Sequence, residues 1–237
     1  MKLALIGHGA MGQLVENLAR AAGDEIGATV TSKDAARSSD EMAAIIRGHD
    51  MAIDFSVGSA VVTHVEACMR GGVPLVQGTT GWKEHEADAR QIVEEQGGAM
   101  VYGANFSIGV NVFYRIVAQA AKLLAGLDQY ETFIEEQHHS RKLDAPSGTA
   151  LKLKSLMAEH IKAPISLTST RAGHIPGTHR VGFDSAADQI TLTHVARSRE
   201  GFAAGALLAA RWIVGRKGVY EFSDVIDEIV GDEYSHE

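Results

Sequence analysis

The chain has 237 residues, 45% hydrophobic and 22% charged, an ordinary globular balance for one large domain or two small ones. Its one cysteine, Cys68, excludes an intrachain disulfide, and 22 Lys and Arg against 30 Asp and Glu give net −8, the wrong sign for binding nucleic acid through bulk charge. No apolar run approaches the roughly 20 residues of a membrane helix, and residues 1–6 are too short for a signal peptide before the glycines begin, so a soluble, cytoplasmic protein without a membrane or nucleic-acid partner is expected.

Residues 3–6 read as a strand buried on both faces. Residues 11–22 follow as a helix, with Leu14, Val15, Leu18, Ala19 and Ala22 at helical spacing and Gly23 at the stop. Further strands are predicted at 26–30, 51–55, 73–76 and 100–102. Helices are predicted between them at 40–47, capped by Ser39, at 59–70, closed by Gly71 and Gly72, and at 83–96. Strands alternating with helices mean βαβ units, a parallel sheet and right-handed crossovers.

The pattern changes after residue 106. A long apolar helix at 110–124 and a strand at 130–136 precede a polar segment, 137–149, and a helix at 150–161. Residues 165–171, 181–184 and 189–196 then read as strands with no helix between them, hence an antiparallel or mixed sheet. A helix rich in small residues spans 202–214, Ser223 caps a last one at 224–230, and the acidic tail at 232–237 is expected to fray. The expected fold is α/β: a Rossmann-like, doubly wound parallel sheet in a dinucleotide-binding domain, 1–106, with 199–237 packing back on it. An α+β domain with an open mixed sheet, 107–198, completes the expected fold.

Gly7-His8-Gly9-Ala10-Met11-Gly12 matches G-x-G-x-x-G directly after a strand and at the opening of a helix. The first glycine allows the tight turn, the second lets backbone approach a pyrophosphate, and the third lets helix and strand pack closely. The end of the second strand, where an acid would hold the ribose of NAD, carries Thr31, Ser32 and Lys33 instead; two hydroxyls and an ammonium suit the extra phosphate of NADP. Gly78-Thr79-Thr80-Gly81 and Gly103-Ala104-Asn105-Phe106 follow the fourth and fifth strands, at the sheet edge where ligands of such folds lie.

His138, His139, Arg141 and Lys142 form a basic cluster in an acidic chain. Adjacent histidines share one metal poorly and no zinc-type spacing is present, so no metal is expected. Ser147 sits in no nucleophile elbow; it reads as the N-cap of the helix that follows, whose Gly148 and Thr149 N–H groups suit an anion. Backbone donors, imidazoles and a lysine together fit a carboxylate-bearing substrate, and histidine handles protons near neutral pH.

The run Glu136-Gln137-His138-His139-Ser140-Arg141-Lys142-Leu143-Asp144-Ala145-Pro146-Ser147-Gly148-Thr149-Ala150 is similar to the signature E-x-H-H-x-x-K-x-D-A-P-S-G-T-A. With Gly78-Thr79-Thr80-Gly81, residues 105–111 and Arg171-Ala172-Gly173, the chain resembles the 4-hydroxy-tetrahydrodipicolinate (dihydrodipicolinate) reductase family over nearly its whole length. The resemblance implies reduction by NADPH or NADH in lysine and diaminopimelate biosynthesis, with 107–198 as the substrate-binding and oligomerisation domain and a homotetramer built by sheet-to-sheet contact. It implies that His138 passes the proton, that Lys142 is a second donor, and that His139, Gly148 and Thr149 bind the substrate carboxylates. Backbone at Gly7 to Gly12, Gly78 to Thr80 and Gly103 to Phe106 would hold the cofactor, with Arg199 nearby. Two departures stand out: the glycine loop is one residue shorter than the common G-x-x-G-R-M-G form and lacks its arginine, and Thr31 stands where many members carry an acid. Other readings of the same residues are an aspartate dehydrogenase-like enzyme and an NADH-sensing binding protein, the latter with no use for His138 beside Lys142.

Overall fold

The computed structural model describes residues 1–232; the tail expected to fray falls at 233–237, outside the described residues. In chain order the elements begin β1 (Lys2–Ile6), α1 (Ala10–Ala21), β2 (Glu25–Val30), α2 (Ser39–Ile46), β3 (Met51–Asp54), α3 (Val61–Gly71), β4 (Leu75–Gln77), α4 (Glu86–Glu95) and β5 (Ala99–Tyr102). They continue with α5 (Ile108–Leu124), β6 (Glu131–His138), α6 (Gly148–Ala158), β7 (Ser166–Arg171), β8 (Thr178–Asp184), β9 (Gln189–Val195), α7 (Glu200–Trp212), β10 (Gly218–Glu221) and α8 (Phe222–Asp232). Two compact units result among the described residues: 1–108 with 200–232, and Gly109–Arg199.

In the first unit, six strands form a sheet in the order β10-β5-β4-β3-β1-β2, every pair parallel. The chain winds outward from β1 to β2, crosses back to β3, and proceeds the other way. The switch point between β1 and β3 opens a crevice at the carboxyl ends of the strands. Leu3, Ala4, Leu5 and Ile6 are buried to within 2% because helices cover both faces, which is why that strand is apolar without alternation. Met42 and Ile46 of α2, Val65 and Cys68 of α3 and Ala89 and Val93 of α4 pack with Ile6, Ala52 and Leu75 in one cluster.

In the second unit the sheet order is β7-β6-β8-β9, with β6 parallel to β7 and the other pairs antiparallel. Phe113 and Val117 of α5 and Leu153 and Met157 of α6 bury one face against Ile134, Val181 and Phe183. On the other face Arg180 lies over the Phe133 ring, 5.4 Å from its centroid, and reaches Glu135 at 3.1 Å.

Four local expectations need correction. β10 is a strand that the pattern missed: its Gly-Val-Tyr-Glu is half-exposed and lacks alternation, and only its pairing with β5 makes it one. The cap of α2 is Ser38, not Ser39; the Ser38 hydroxyl accepts from the Glu41 N–H at 3.3 Å while the Glu41 carboxylate accepts from the Ser38 N–H at 2.8 Å. Ser223 lies inside α8 rather than capping it, and the Asp224 carboxylate takes the Glu221 N–H at 2.9 Å. β6 runs two residues beyond the predicted end, so that His138 stands on a strand.

Helix α7 packs against the turn after β5 through Gly205, where an added Cβ would fall 1.7 Å from the Phe106 carbonyl oxygen. Gly205→Ala is therefore expected to lower stability by about 1–3 kcal/mol. In the same helix Gly201→Ala, whose methyl would meet Ser107 Oγ at 3.7 Å, should be neutral or stabilising. Denaturant unfolding of both variants checks this; equal midpoints would refute the packing argument.

Candidate functional site

The glycine turn lies at the switch point of the first unit. Gly7 has φ +87°, and an added Cβ there would stand 2.3 Å from the Phe55 carbonyl oxygen. A Cβ on Gly12 would be 2.2 Å from the Gly7 carbonyl oxygen, yet one on Gly9 would meet nothing within 4 Å. No side chain caps α1 at Gly9, and its first turn holds no acid, in contrast to the capping box on α2. An uncapped helix N-terminus beside open backbone is what a phosphate requires, so the residues present fit a dinucleotide. His8, Gly9 and Ala10 are exposed, Met11 is half-buried and Gly12 is buried. The His8 ring is drawn 2.6 Å from Glu16, which Arg20 also holds.

At the end of β2 the Thr31 hydroxyl accepts from the Lys33 N–H at 3.3 Å and donates toward Asp34. Asp34 in turn accepts from the Thr31 N–H at 3.0 Å and pairs with Arg37 at 2.8 Å. Those contacts, the Thr31 backbone bond foremost and Arg37 next, hold the Asp34 carboxyl below its usual range. The expected three donors are thus reduced: Thr31 closes its own turn, and Ser32 and Lys33 are exposed.

Two residues of the expected cofactor set have buried side chains that anchor their turns. Thr79 is buried; its N–H donates to Gln77, its hydroxyl donates to Asp54, and its carbonyl accepts from the Trp82 indole N–H. Phe106 is buried between Phe55 and Phe222, ring centroids 6.2 Å and 4.7 Å away, because the turn after β5 dips into the core before α5 begins. Gly78, Thr80, Gly103, Ala104 and Asn105 remain at the carboxyl ends of β4 and β5; Asn105 Oδ1 accepts from the Ser107 N–H at 2.8 Å. Arg199 is exposed, just before α7.

The second unit holds a more concentrated arrangement. Alternation along β6 turns Thr132, Ile134, Glu136 and His138 to the buried face. Register then decides the neighbours: Arg171 of β7 lies opposite His138, and His179 of β8 lies opposite Glu136. The Glu136 carboxylate accepts from Arg171 at 3.0 and 2.6 Å, from the Ser147 N–H at 3.2 Å, and from His138 Nδ1. Burial opposes its ionisation, but the hydrogen bonds from Arg171, Ser169 and His138 outweigh that and bring it down to about 2. An ionised Glu136 only accepts, so His138 Nδ1 carries the ring proton and Nε2 is left as the atom through which a proton can pass. Burial lowers the His138 proton affinity more than Glu136 raises it.

Ser147 caps α6, accepting from the Ala150 N–H at 3.2 Å, which turns its hydroxyl proton to His179 Nε2 at 3.0 Å. The buried His179 Nδ1 has no partner, and burial, with His138 nearby, pushes the ring's pKa down to about 4. Lys142 pairs with Asp144 at 2.8 Å and lies close enough to depress both histidines electrostatically. His139 is half-buried, with Nδ1 unpartnered. Gly148, at the N-terminus of α6, is exposed, and an added Cβ there meets nothing within 4 Å. Thr149 bonds the Tyr114 hydroxyl. Glu136, His138 and His179 have ligand atoms within 4.8 Å of one another, a spacing a metal could bridge. The lone pairs of Glu136 are already taken by Arg171, His138 and Ser147, so the set fits proton handling better than metal binding.

The family model for the N-terminus of dihydrodipicolinate reductase matches residues 1–106, and that for its C-terminus matches residues 109–226. The chain belongs to the dihydrodipicolinate reductase family. A 4-hydroxy-tetrahydrodipicolinate reductase from Christiangramia forsetii is 36% identical over 97% of this chain and 99% of its own. One from Methanosarcina barkeri is 38% identical over 75% of this chain and 73% of its own. The dipicolinate-bound dihydrodipicolinate reductase from Paenisporosarcina sp. TG-14 shares the fold, with a TM-score of 0.77 over 94% of this chain and 99% of that one at 21% identity.

Glu136, Arg171 and His179 were absent from the sequence-derived site of this reductase-family chain. Glu136 sits two positions before His138, a spacing that signals one face once the strand is known to extend that far. Arg171 and His179 arrive by strand register, which leaves no local mark. The folded pKa of His179 is depressed, so protonation favours the unfolded chain. Stability held above about pH 6.5 should fall as pH drops toward 4, and Glu136 should extend the loss from about 4.5 toward 2. Melting temperatures across this range check it: His179→Gln should flatten the upper part, and an unchanged slope would remove His179 as a cause.

Proposed function

We propose that the chain is an NAD(P)H-dependent 4-hydroxy-tetrahydrodipicolinate reductase, a cytoplasmic enzyme of lysine and diaminopimelate synthesis. The observation that carries this reading is the buried Glu136–His138 pair beside the N-terminus of α6, inside the E-x-H-H to P-S-G-T-A run. The bound cofactor supplies the hydride. His138 Nε2 passes the proton, in a tautomer held by Glu136. A dicarboxylate adds negative charge beside the ring and raises its proton affinity, so that His138 gains a proton with substrate and returns it during reduction. Lys142 exchanges Asp144 for a substrate carboxylate and acts as a second donor. His139, whose buried Nδ1 lacks a partner, and the α6 terminus at Gly148 and Thr149 bind the carboxylates.

The cofactor rests on Gly7 to Gly12, with Gly78, Thr80, Gly103, Ala104, Asn105 and Arg199 beside it. A homotetramer through the open face of the β7-β6-β8-β9 sheet completes the proposal; exposed Thr168, Thr170, Thr191 and Thr193 give that face short side chains suited to a close partner.

Two experiments test this reading, with substrate formed from pyruvate and aspartate semialdehyde and NAD(P)H consumption followed. His138→Ala should lower kcat by about 10²–10⁴ with NADPH affinity unchanged, and Lys142→Ala should lower kcat and raise the KM for the dicarboxylate. Wild-type kcat in either variant would remove that residue from the mechanism.

Cofactor choice is the second. Arg37 offsets the charge of Asp34 at the end of β2, so a 2′-phosphate meets little repulsion, and exposed Ser32 and Lys33 can bind it. NADPH should serve at least as well as NADH, and Lys33→Ala should raise the KM for NADPH more than for NADH, an effect that salt narrows. A tenfold preference for NADH in kcat/KM would overturn this.

A further inference from the structure

The carboxyl ends of β3 and β4 carry a buried polar cluster with no part in the proton chemistry. Asp54 ends β3 and Gln77 ends β4, and both are fully buried. Asp54 Oδ2 accepts from His64 Nδ1 of α3 at 2.8 Å and from Gln77 Nε2 at 3.0 Å, and Oδ1 accepts from the Thr79 hydroxyl at 3.0 Å. Gln77 Oε1 takes the Thr79 N–H at 2.9 Å, and Thr79 Oγ1 takes the Ser56 N–H at 2.7 Å. The Trp82 indole then bonds the Thr79 carbonyl at 2.7 Å. Every polar group of Thr79 is engaged inside the chain, and through it the turn after β4 is pegged to the ends of β3 and β4.

That turn does not stand alone. An added Cβ on Gly78 would fall 2.2 Å from the Phe55 ring, one on Gly58 would fall 2.6 Å from the Gly81 carbonyl oxygen, and one on Gly7 would fall 2.3 Å from the Phe55 carbonyl oxygen. The loops after β1 and β3, and those after β3 and β4, therefore touch backbone to backbone, and the packed Phe55 ring fills the space against Gly78 and leaves little slack for a shift. A displacement of the Thr79 turn would be passed through Phe55 to the glycine turn. Burying a carboxylate is costly, and an apolar residue of similar volume would seal a strand end at least as well. The position of Asp54, at the sheet edge where ligands of this fold lie, gives the cost a purpose.

We infer that Asp54 is a positioning residue for cofactor binding, acting through Thr79 to hold the three strand-end loops in the geometry that receives NADPH or NADH; this rests on the reductase reading above. Asp54→Asn keeps the shape and removes the carboxylate.

The test is calorimetric titration of NADPH and NADH, without substrate, together with steady-state kinetics. Expected for Asp54→Asn is a rise of tenfold or more in Kd for both nucleotides, kcat within threefold at saturating cofactor, and a dicarboxylate KM within twofold. Thr79→Val should reproduce this, Thr79→Ser should hold Kd within threefold by keeping the hydroxyl, and the Asp54→Asn, Thr79→Val double variant should be no weaker than the worse single one. Nucleotide Kd within twofold of wild type in Asp54→Asn overturns the inference, as do multiplying losses in the double variant or a dicarboxylate KM that moves in step with the nucleotide Kd. Should Asp54→Asn fail to fold, the Thr79→Val and Thr79→Ser pair decides alone: equal affinities refute it. A wild-type chain that binds neither nucleotide overturns the cofactor reading itself, and this inference with it.

Discussion

A carboxylate on the buried face of β6, two residues beyond Ile134, is tolerable only if its lone pairs meet donors, and Glu136 meets that condition with Arg171, His138 and the Ser147 N–H. Isolated, such a charge would cost several kcal/mol of desolvation; the bidentate arginine and the imidazole offset it. Three pieces of the second unit are tied to this one group. The His138 ring takes the tautomer that leaves Nε2 available, Arg171 is drawn to the end of β7, and the start of α6 is pulled to the same place through Ser147. The proton-handling atom and the anion-binding helix terminus are thus set by a common anchor, so their separation does not depend on loop conformation.

The first unit uses a related device with different donors. Asp54 is as buried as Glu136, but the groups that approach it are His64, Gln77 and Thr79 rather than a guanidinium. An arginine binds one carboxylate strongly and defines one point. Three donors from α3, β4 and the turn after it define a frame, which suits a binding surface assembled from several loops. Both carboxylates stand at or near the carboxyl ends of strands, where side chains leave the packed sheet and backbone is free to turn.

Much of this was legible along the chain because its causes are local. The apolar run at Leu3 to Ile6 reports a strand covered on both faces, and G-x-G-x-x-G at its end reports a turn in which only glycine fits at two of three positions. Ser147 was readable as a cap because a serine before a glycine and an apolar helix has few other roles. Errors arose where neighbours in sequence compete or where pairing decides. Ser38 and Ser39 are equivalent as caps until Glu41 selects one by its spacing, and β10 is a strand only because β5 offers it an edge. Thr79 and Phe106 lie in turns with a ligand-facing signature, and only tertiary packing shows that their side chains point inward.

By itself, the order of residues determined the doubly wound sheet, the mixed second sheet, the glycine turn and the histidine-lysine run before α6. Each follows from periodicity, cap chemistry or steric limits within a few residues. Tertiary structure alone decided which groups surround His138 and which hold Thr79. Arg171 and His179 reach the site through strand register, 35 and 43 residues from Glu136, and His64 reaches Asp54 from the face of a helix. Register and helix packing are set by burial summed over whole faces, so the partners of a buried charge leave no mark in the sequence near it.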